Sequence, residues 1–408
     1  MRDRRAAPWW VFVLAVSFFV YFILLVYCDI VRPEDYGYDA DFASGRMVLS
    51  NIAPDADSPA LRAGLRAGDV IASADGMIIR NVGDWTIVDE NVEFERPIHL
   101  TVQRGRETLD RTLALGRARW TYWQTEPGIV MLGVLGVQLV ALGLAFVIVL
   151  KRPGDHLALL GAWSLATVAV YTIVPPYRFG AVWRSLPTVV GALMWAPHAS
   201  NHAVAAVLFT FFASFPRRMV QSARVWAALW MPMGVALVLP MRDALRLIYR
   251  PAQATASPLQ GPLLIGATVA YLLAGLTALV LNYRRLDEVN ERRRVKVVVM
   301  GAVGGLLPGL LVVASYRLRS HANLSESIFA SRTTSIGTMS LLLFPVSFAY
   351  AILRHRLFDI SVMIRQGVRY AVARGVLVSV VPALALLLVI DVLMRGNQPL
   401  AITLQTRA

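Results

Sequence analysis

Long apolar stretches separated by short polar loops make up most of the chain, and one long polar segment interrupts them near the start. Each stretch holds about 20 residues, which form a helix long enough to cross about 30 Å of hydrocarbon. The region 176–214 is the least regular, because Arg184, Pro187, Pro197 and two histidines interrupt it. The pattern predicts about nine membrane-spanning helices, at residues 9–28, 128–150, 156–175, 189–214, 223–241, 262–283, 295–315, 333–353 and 375–394.

The composition is that of a membrane protein rather than a soluble enzyme. Of the 408 residues, 57% are hydrophobic and 16% are charged, whereas an average soluble domain has about 45–50% apolar and about 25% charged residues. The single cysteine, Cys28, excludes an intramolecular disulfide and a cysteine-rich metal site. We therefore expect no cofactor and no bound metal.

These stretches divide the chain into four parts. Residues 1–30 form a basic tail and a helix too long to be a secretory signal core, so we expect a signal anchor that stays in place. Residues 31–124 form a small polar domain, 125–394 an eight-span membrane block, and 395–408 an external tail or the start of a further span. The fold class is therefore mixed: a polytopic α-helical membrane protein with a small external α+β domain.

The positive charge indicates orientation rather than a nucleic-acid partner. The net charge is +14, but the basic residues lie in separate short loops instead of on one face. The loops on the N-terminal side of the membrane hold more than twice as many Lys and Arg residues as the opposite loops. Because basic loops stay in the cytoplasm, we expect the N-terminus inside and the polar domain outside.

The polar domain contains a run of turn and capping signals, from Ser58 to Gly76. Ser58 and Pro59 are typical of a helix start, and Gly64 of its end. A buried strand is expected to follow from Val70. We expect further elements around this run: a strand at 46–52, a helix at 82–91, and a hairpin of strands 98–102 and 108–113.

This arrangement, over about residues 40–116, resembles bacterial PDZ domains. The resemblance implies a groove in which a peptide C-terminus adds to a strand. It places the pairing strand at Met47, Val48, Leu49 and Ser50, and the facing helix side at Trp85, Val88 and Val92. One departure is that the loop 37–45 carries Asp39 and Asp41, which would repel a peptide carboxylate. The alternative is that Met47, Leu49, Val88 and Val92 are core residues.

A second resemblance covers nearly the whole chain and rests on residues 340–375, where a span ends in a basic segment. The order of anchor, external PDZ-like domain and further spans is similar to the sensory region of bacterial competence-type sensor histidine kinases and sporulation-type membrane-bound serine/threonine phosphatases. It implies a bacterial inner-membrane location, a homodimer, and a cytoplasmic output domain or partner beyond a further span. The segment 354–374 would act as a signalling lever, with Arg354, Arg356, Phe358, Asp359, Arg365 and Arg369.

Two groups within the predicted spans are candidate functional residues. His198, Asn201 and His202 lie on one side of a helix, where they suit interhelical packing, ligand or proton sensing, or metal binding. Gly301, Gly305 and Gly309 form a small-residue ladder next to Pro308. The ladder favours close helix packing, and Pro308 allows a hinge as the alternative.

No enzymatic motif accompanies these groups. The chain lacks the His-Glu-x-x-His motif of membrane metalloproteases and the Gly-x-Ser-Gly motif of rhomboid-type serine proteases. We therefore expect a non-enzymatic sensory module, with the lipid bilayer, a peptide or protein C-terminus and a cytoplasmic signalling protein as partners. The alternatives are a membrane-anchored PDZ adaptor that captures polypeptides and, third, a small-molecule permease.

Overall fold

The computed structural model describes residues 9–43, 45–53, 57–94, 96–172, 175–254, 260–287, 292, 295–308, 340 and 343–348. Helix α1 (Trp9–Ile30) is followed by a small sheet domain, which returns the chain to a set of helices. The sheet domain has eight elements: β1 (Tyr38–Ala43), β2 (Arg46–Ile52), α2 (Pro59–Arg62), β3 (Val70–Ala74), β4 (Met77–Ile78), α3 (Val82–Glu90), β5 (Ile98–Arg104) and β6 (Glu107–Leu113).

The sheet is antiparallel, with strand order β1-β2-β3-β5-β6 and β4 paired to β3. Side chains alternate between the two faces of each strand. The inward side chains of β2, β3 and β5 form the core, where each is at most 1% exposed: Met47, Leu49, Ile71, Leu100 and Val102. The predicted strand at 46–52, the helix from Val82 and the hairpin are thus confirmed, with hairpin strands slightly longer than expected.

The capping signals act as the sequence predicts. The Ser58 hydroxyl accepts a hydrogen bond from the Leu61 amide at the start of α2. Gly64 has a φ of +70°, a left-handed conformation that ends the helix. Asp69, which follows the next turn, is buried and pairs with Arg104 of β5. This pair links the helix–turn segment to the sheet.

A two-stranded neck joins the sheet domain to the helices. Pro33, just after α1, lies opposite Arg117 in an antiparallel bridge. The Glu34 amide donates to the Gly116 carbonyl (2.9 Å), and the Gly116 amide donates to the Glu34 carboxylate (2.7 Å). The chain therefore enters and leaves the domain through adjacent backbone segments.

The helical part begins with α4, after a short 3₁₀ turn, and α1 packs against α4. Nine helices are described here: α4 (Glu126–Lys151), α5 (His156–Ala169), α6 (Phe179–Arg184), α7 (Thr188–Leu193), α8 (Trp195–His202), α9 (Val204–Ser214), α10 (Ala223–Tyr249), α11 (Gln260–Arg284) and α12 (Val295–Pro308).

Among the residues that the structure describes, four helices are long and apolar enough to cross a membrane: Trp9–Ile30, Gly128–Lys151, Ala223–Tyr249 and Pro262–Arg284. They support membrane association. The nine predicted spans are not shown. The stretch 156–175 contains a helix of only 14 residues, and most of 333–353 and all of 375–394 lie outside the described residues.

The stretch 189–214, predicted as the least regular span, divides into α7, α8 and α9. Pro187 precedes α7, and Pro197 lies in the first turn of α8, where a missing amide hydrogen is tolerated. Every residue of α9 is buried. Helix α9 therefore lies in the interior of the helical part, packed against α5 and α11.

Candidate functional site

The edge strand of the sheet is β1, and this corrects the predicted groove strand. Strand β2, which contains Met47, Val48, Leu49 and Ser50, pairs with β1 on one side and β3 on the other. Both backbone groups of Leu49 are also used, by Asp69 and Gly68. A peptide therefore cannot add to β2, and the alternative core interpretation holds for the buried Met47 and Leu49. On this side of the sheet the open edge is therefore β1.

Strand β1 presents an apolar face to the domain. Tyr38, Ala40 and Phe42 pack against the core. Because side chains alternate along a strand, Asp39 and Asp41 lie on the opposite face, where Asp39 accepts a hydrogen bond from Asn51. The stretch 37–45 is thus largely a strand rather than a loop, and its two carboxylates point away from the core side.

Helix α3 packs over the same face of the sheet, beside β1. Trp85 and Val92 are buried and Val88 packs against the core beside them, which agrees with the alternative that Val88 and Val92 are core residues; their role as the helix side of a groove stays a prediction. The Trp85 ring lies 5.6 Å from that of Tyr36 and 6.4 Å from that of Tyr38, between ring centroids. These three aromatic rings pack together where β1 begins, beside α3; we call the site that they form the terminal pocket.

The backbone at the terminal pocket requires glycine at position 37. Gly37 has a φ of +78°, and a Cβ there would lie 2.5 Å from the Ser58 Cβ. Its amide donates to the Asp35 carboxylate at 2.9 Å. The tight turn between Tyr36 and Tyr38 brings their rings together, with centroids 5.4 Å apart.

Two neighbouring carboxyl groups, those of Asp89 and Glu90, lie at the C-terminal end of α3. The Tyr36 hydroxyl donates to the Asp89 carboxylate at 2.6 Å. Burial raises the pKa of Asp89 to about 7, although the hydrogen bond from Tyr36 opposes the shift. Burial also raises the pKa of Glu90 to about 8, and the negative charge of Asp89 adds to this rise. Both carboxyl groups therefore bind protons at higher pH in the folded protein than in the unfolded chain.

Residues from the helical part contact this end of α3 directly. The Tyr177 ring packs against the domain core, with its centroid 6.3 Å from that of Tyr36. The Arg178 amide donates to the Asp89 carbonyl at 2.9 Å. The groove therefore ends against a segment that precedes α6.

Helix α6 continues this contact along the end of α3. The Arg184 guanidinium donates to the Asn91 side chain (3.1 Å) and the Ile248 carbonyl (3.2 Å), and pairs with Glu93 (3.3 Å). A Cβ on Gly180 would lie 3.3 Å from the Glu90 carbonyl oxygen and 2.7 Å from Leu247. Gly180 and Arg184 thus join α3 to both α6 and the end of α10.

The raised pKa values predict that stability falls as pH rises. In the unfolded chain Asp and Glu titrate near 3.9 and 4.3, so the folded state holds more protons between these values and about pH 7–8. Since stability decreases with pH wherever the folded state binds more protons, we expect the urea midpoint of the sheet domain to fall from pH 5 to pH 8 and then level off.

Pulse proteolysis of the full chain in detergent micelles measures this midpoint. Asp89→Asn with Glu90→Gln should flatten the slope, because neither side chain then titrates. Asp110→Asn, on the outer hairpin strand β6, is the matched control and should keep it. A slope that survives in the double variant would contradict the assignment to Asp89 and Glu90.

The structure brings together the predicted polar residues of the helical part. The His198 Nδ1 and the Tyr21 hydroxyl are 2.9 Å apart, and the His198 and His202 ring centroids are 4.9 Å apart. The Asn201 side chain accepts a hydrogen bond from the Thr172 amide. Within the described residues, no group of three or more His, Cys, Asp or Glu side chains could hold a metal ion. A sensing role of His198 and His202 stays a prediction.

The glycine ladder lies in a close helix contact. A Cβ on Gly305 would lie 2.8 Å from the Ser340 carbonyl oxygen, and Gly301 meets Ser347. The structure thus places both glycines where packing is tight. Pro308 ends the described helix, and Gly309 lies outside the described residues. So does the whole predicted lever, with Arg354, Arg356, Phe358, Asp359, Arg365 and Arg369.

Several residues of the groove end were not found from the sequence. Tyr36 and Asp89 could have been suspected, because an aromatic pair flanks Gly37 and an acidic pair ends the short helix α3. The contacts of Tyr177, Arg178 and Arg184 join segments far apart in the chain, and no local pattern marks them.

Comparison with known families identifies the sheet domain. Residues 35–103 match the family model of the PDZ domain. No curated protein matches the chain, and no solved structure matches it. The resemblance to sensor kinases and phosphatases is thus supported by no relative, whereas the PDZ resemblance is supported. The chain contains a PDZ domain, placed between helices that are long and apolar enough to span a membrane.

Proposed function

We propose that the protein is a membrane signal-transduction module. Its PDZ domain binds the C-terminus of a polypeptide, and its helices transmit the resulting conformational change to a cytoplasmic kinase or phosphatase. One observation carries the proposal: α3 lines the groove with Trp85 and Val88, and its end packs on α6. PDZ domains generally bind peptide C-termini by strand addition. A peptide bound in the groove would therefore contact α3, the helix whose end packs on α6.

The proposed mechanism is a shift between two arrangements of the PDZ domain and the helices. A ligand shifts such an equilibrium only by binding one arrangement more tightly than the other. The contacts that differ would be those of Arg178 with Asp89 and of Arg184 with Asn91 and Glu93. They extend to α10 through the Ile248 carbonyl.

Hydrogen–deuterium exchange on the full chain in nanodiscs tests the coupling. The probe is a pool of short peptides with randomised last residues, offered with free or amidated C-termini. We expect free C-termini to slow exchange in β1 and α3 and to change it in α6 and the end of α10. Gly180→Leu should keep the first effect and lose the second, because the new side chain separates α6 from α3.

Gly234→Leu is the matched control, since a Cβ at this position of α10 meets nothing within 4 Å. It should keep both effects. An exchange change confined to the PDZ domain of the unmodified protein would overturn the signalling proposal. If many unrelated C-termini then bound, an adaptor that captures polypeptides would replace it.

A further inference from the structure

The terminal pocket of the PDZ groove is already occupied by the chain itself. The Tyr177 ring packs against the PDZ core beside Tyr36, whose ring also meets those of Tyr38 and Trp85. Tyr177 comes from the segment 175–178, which belongs to the helical part and not to the PDZ domain. The pocket formed by these rings therefore holds an aromatic side chain supplied from outside the domain.

The backbone of the same segment is tied to the groove helix. The Arg178 amide donates to the Asp89 carbonyl, and the Arg178 guanidinium donates to the Val31 carbonyl at 3.1 Å. That guanidinium also lies over the Phe94 ring, 4.0 Å from its centroid. Arg178 itself has a φ of +65°, a left-handed conformation that is unfavourable for a residue with a side chain. The segment is thus held by specific contacts at some backbone cost.

The backbone amide of the turn beside the terminal pocket also has a hydrogen-bond acceptor within the PDZ domain. A peptide C-terminus offers a carboxylate, and the natural donors for it are the amides at the end of the edge strand. Here the Gly37 amide donates to the Asp35 carboxylate. An internal carboxylate and an internal aromatic ring therefore take up the two kinds of contact that a C-terminal residue would make.

We propose that the segment 175–178 competes within the molecule for the PDZ groove, and that the external ligand is a polypeptide whose C-terminal residue is aromatic. This inference rests on the proposed function and adds its specificity and its regulation. Binding of the external C-terminus expels Tyr177 from the terminal pocket. The expulsion pulls Arg178 away from Asp89, so that ligand entry and release of the PDZ domain from α6 become one event.

The competition predicts a gain of affinity when Tyr177 is removed. An internal competitor lowers the apparent affinity by the fraction of molecules with an open groove. Burial of one large apolar side chain is worth about 1.5–3 kcal/mol, which corresponds to a change of about tenfold to about a hundredfold. We expect Tyr177→Ala to bind an aromatic-ended peptide more tightly by this factor.

Fluorescence anisotropy with the full chain in detergent micelles measures the affinity. The probes are three labelled peptides that are identical except for the end: C-terminal Phe, C-terminal Ala and amidated Phe. Tyr177→Phe keeps the ring and should behave as the unmodified protein. Tyr249→Ala removes a half-exposed tyrosine at the end of α10 and should leave the affinity unchanged.

Each outcome separates the two proposals. Tighter binding of the Phe-ended peptide by Tyr177→Ala alone supports self-occupancy. Equal binding by Tyr177→Ala and the unmodified protein overturns self-occupancy and leaves the proposed function standing. Equal gains for the Phe- and Ala-ended peptides overturn the aromatic specificity. Binding of no peptide by either protein overturns the proposed function, since a groove freed of Tyr177 would then still take no C-terminus.

Discussion

Replacing Arg104 with methionine will destabilise the PDZ domain, because it leaves the buried Asp69 carboxylate without its ion-pair partner. The Asp69 side chain is 1% exposed, and the Arg104 guanidinium meets it with two hydrogen bonds, of 2.7 and 2.9 Å. Burial works against the charge of Asp69, but the bonds from Arg104 and the Arg66 amide outweigh it and lower its pKa. Without Arg104 the carboxylate stays buried and unpaired.

The urea midpoint of the full chain, followed by pulse proteolysis in micelles, measures the loss. The matched control is Arg96→Met, because Arg96 forms an exposed pair with Asp75 at 3.8 Å. Exposed pairs contribute about 0–1 kcal/mol. Asp69→Asn added to Arg104→Met should recover part of the loss, since it removes the unpaired charge. A double variant no more stable than the single one would refute this explanation.

Trp183→Ala is expected to destabilise the helical part by about 3–5 kcal/mol, the range for truncation of a buried Trp. Trp183 lies in α6 and is 1% exposed. Its ring contacts those of Phe179 (5.4 Å), Trp195 (5.1 Å) and His198 (5.3 Å, all between centroids). Because Tyr21 of α1 meets the same ring, the cavity would open where α1, α6 and α8 meet.

Thermal unfolding in micelles shows the effect of this cavity. Trp183→Phe keeps a ring in the site and should retain most of the stability, because the Trp183 Nε1 has no hydrogen-bond partner among the described residues. Trp120→Ala, at a position 75% exposed, is the control for loss of a tryptophan. Equal midpoints for Trp183→Ala and Trp120→Ala would show that Trp183 does not hold these helices together.

The local elements of the PDZ domain could be predicted from the sequence because their signals are local. Ser58 and Pro59 cap a helix in any context, and the turn at Gly105 fixes its hairpin through neighbouring residues. The long apolar helices were equally readable, since length and hydropathy suffice. Interruptions were also visible: the irregular stretch 189–214 does break into separate helices.

The groove could not be placed in the same way. Strand β1 carries two Asp residues among six, which gives it the composition of a loop, although Tyr38, Ala40 and Phe42 alternate as in a strand. Strand β2 is apolar because it lies inside the sheet, whereas the resemblance to PDZ domains places the pairing strand there. Tyr177 meets Tyr36 because the segment before α6 bonds to the end of α3, a contact without a local signature.

The two-stranded neck limits how the PDZ domain can move. A body attached through two adjacent segments, bridged at Pro33 and Arg117 and bonded at Glu34 and Gly116, cannot slide away or spin freely. Its remaining freedom is a tilt about the neck, with α6 as the stop. Ligand binding would therefore change the angle between the PDZ domain and the two helices at the neck, α1 and α4, rather than the distance between the domain and these helices.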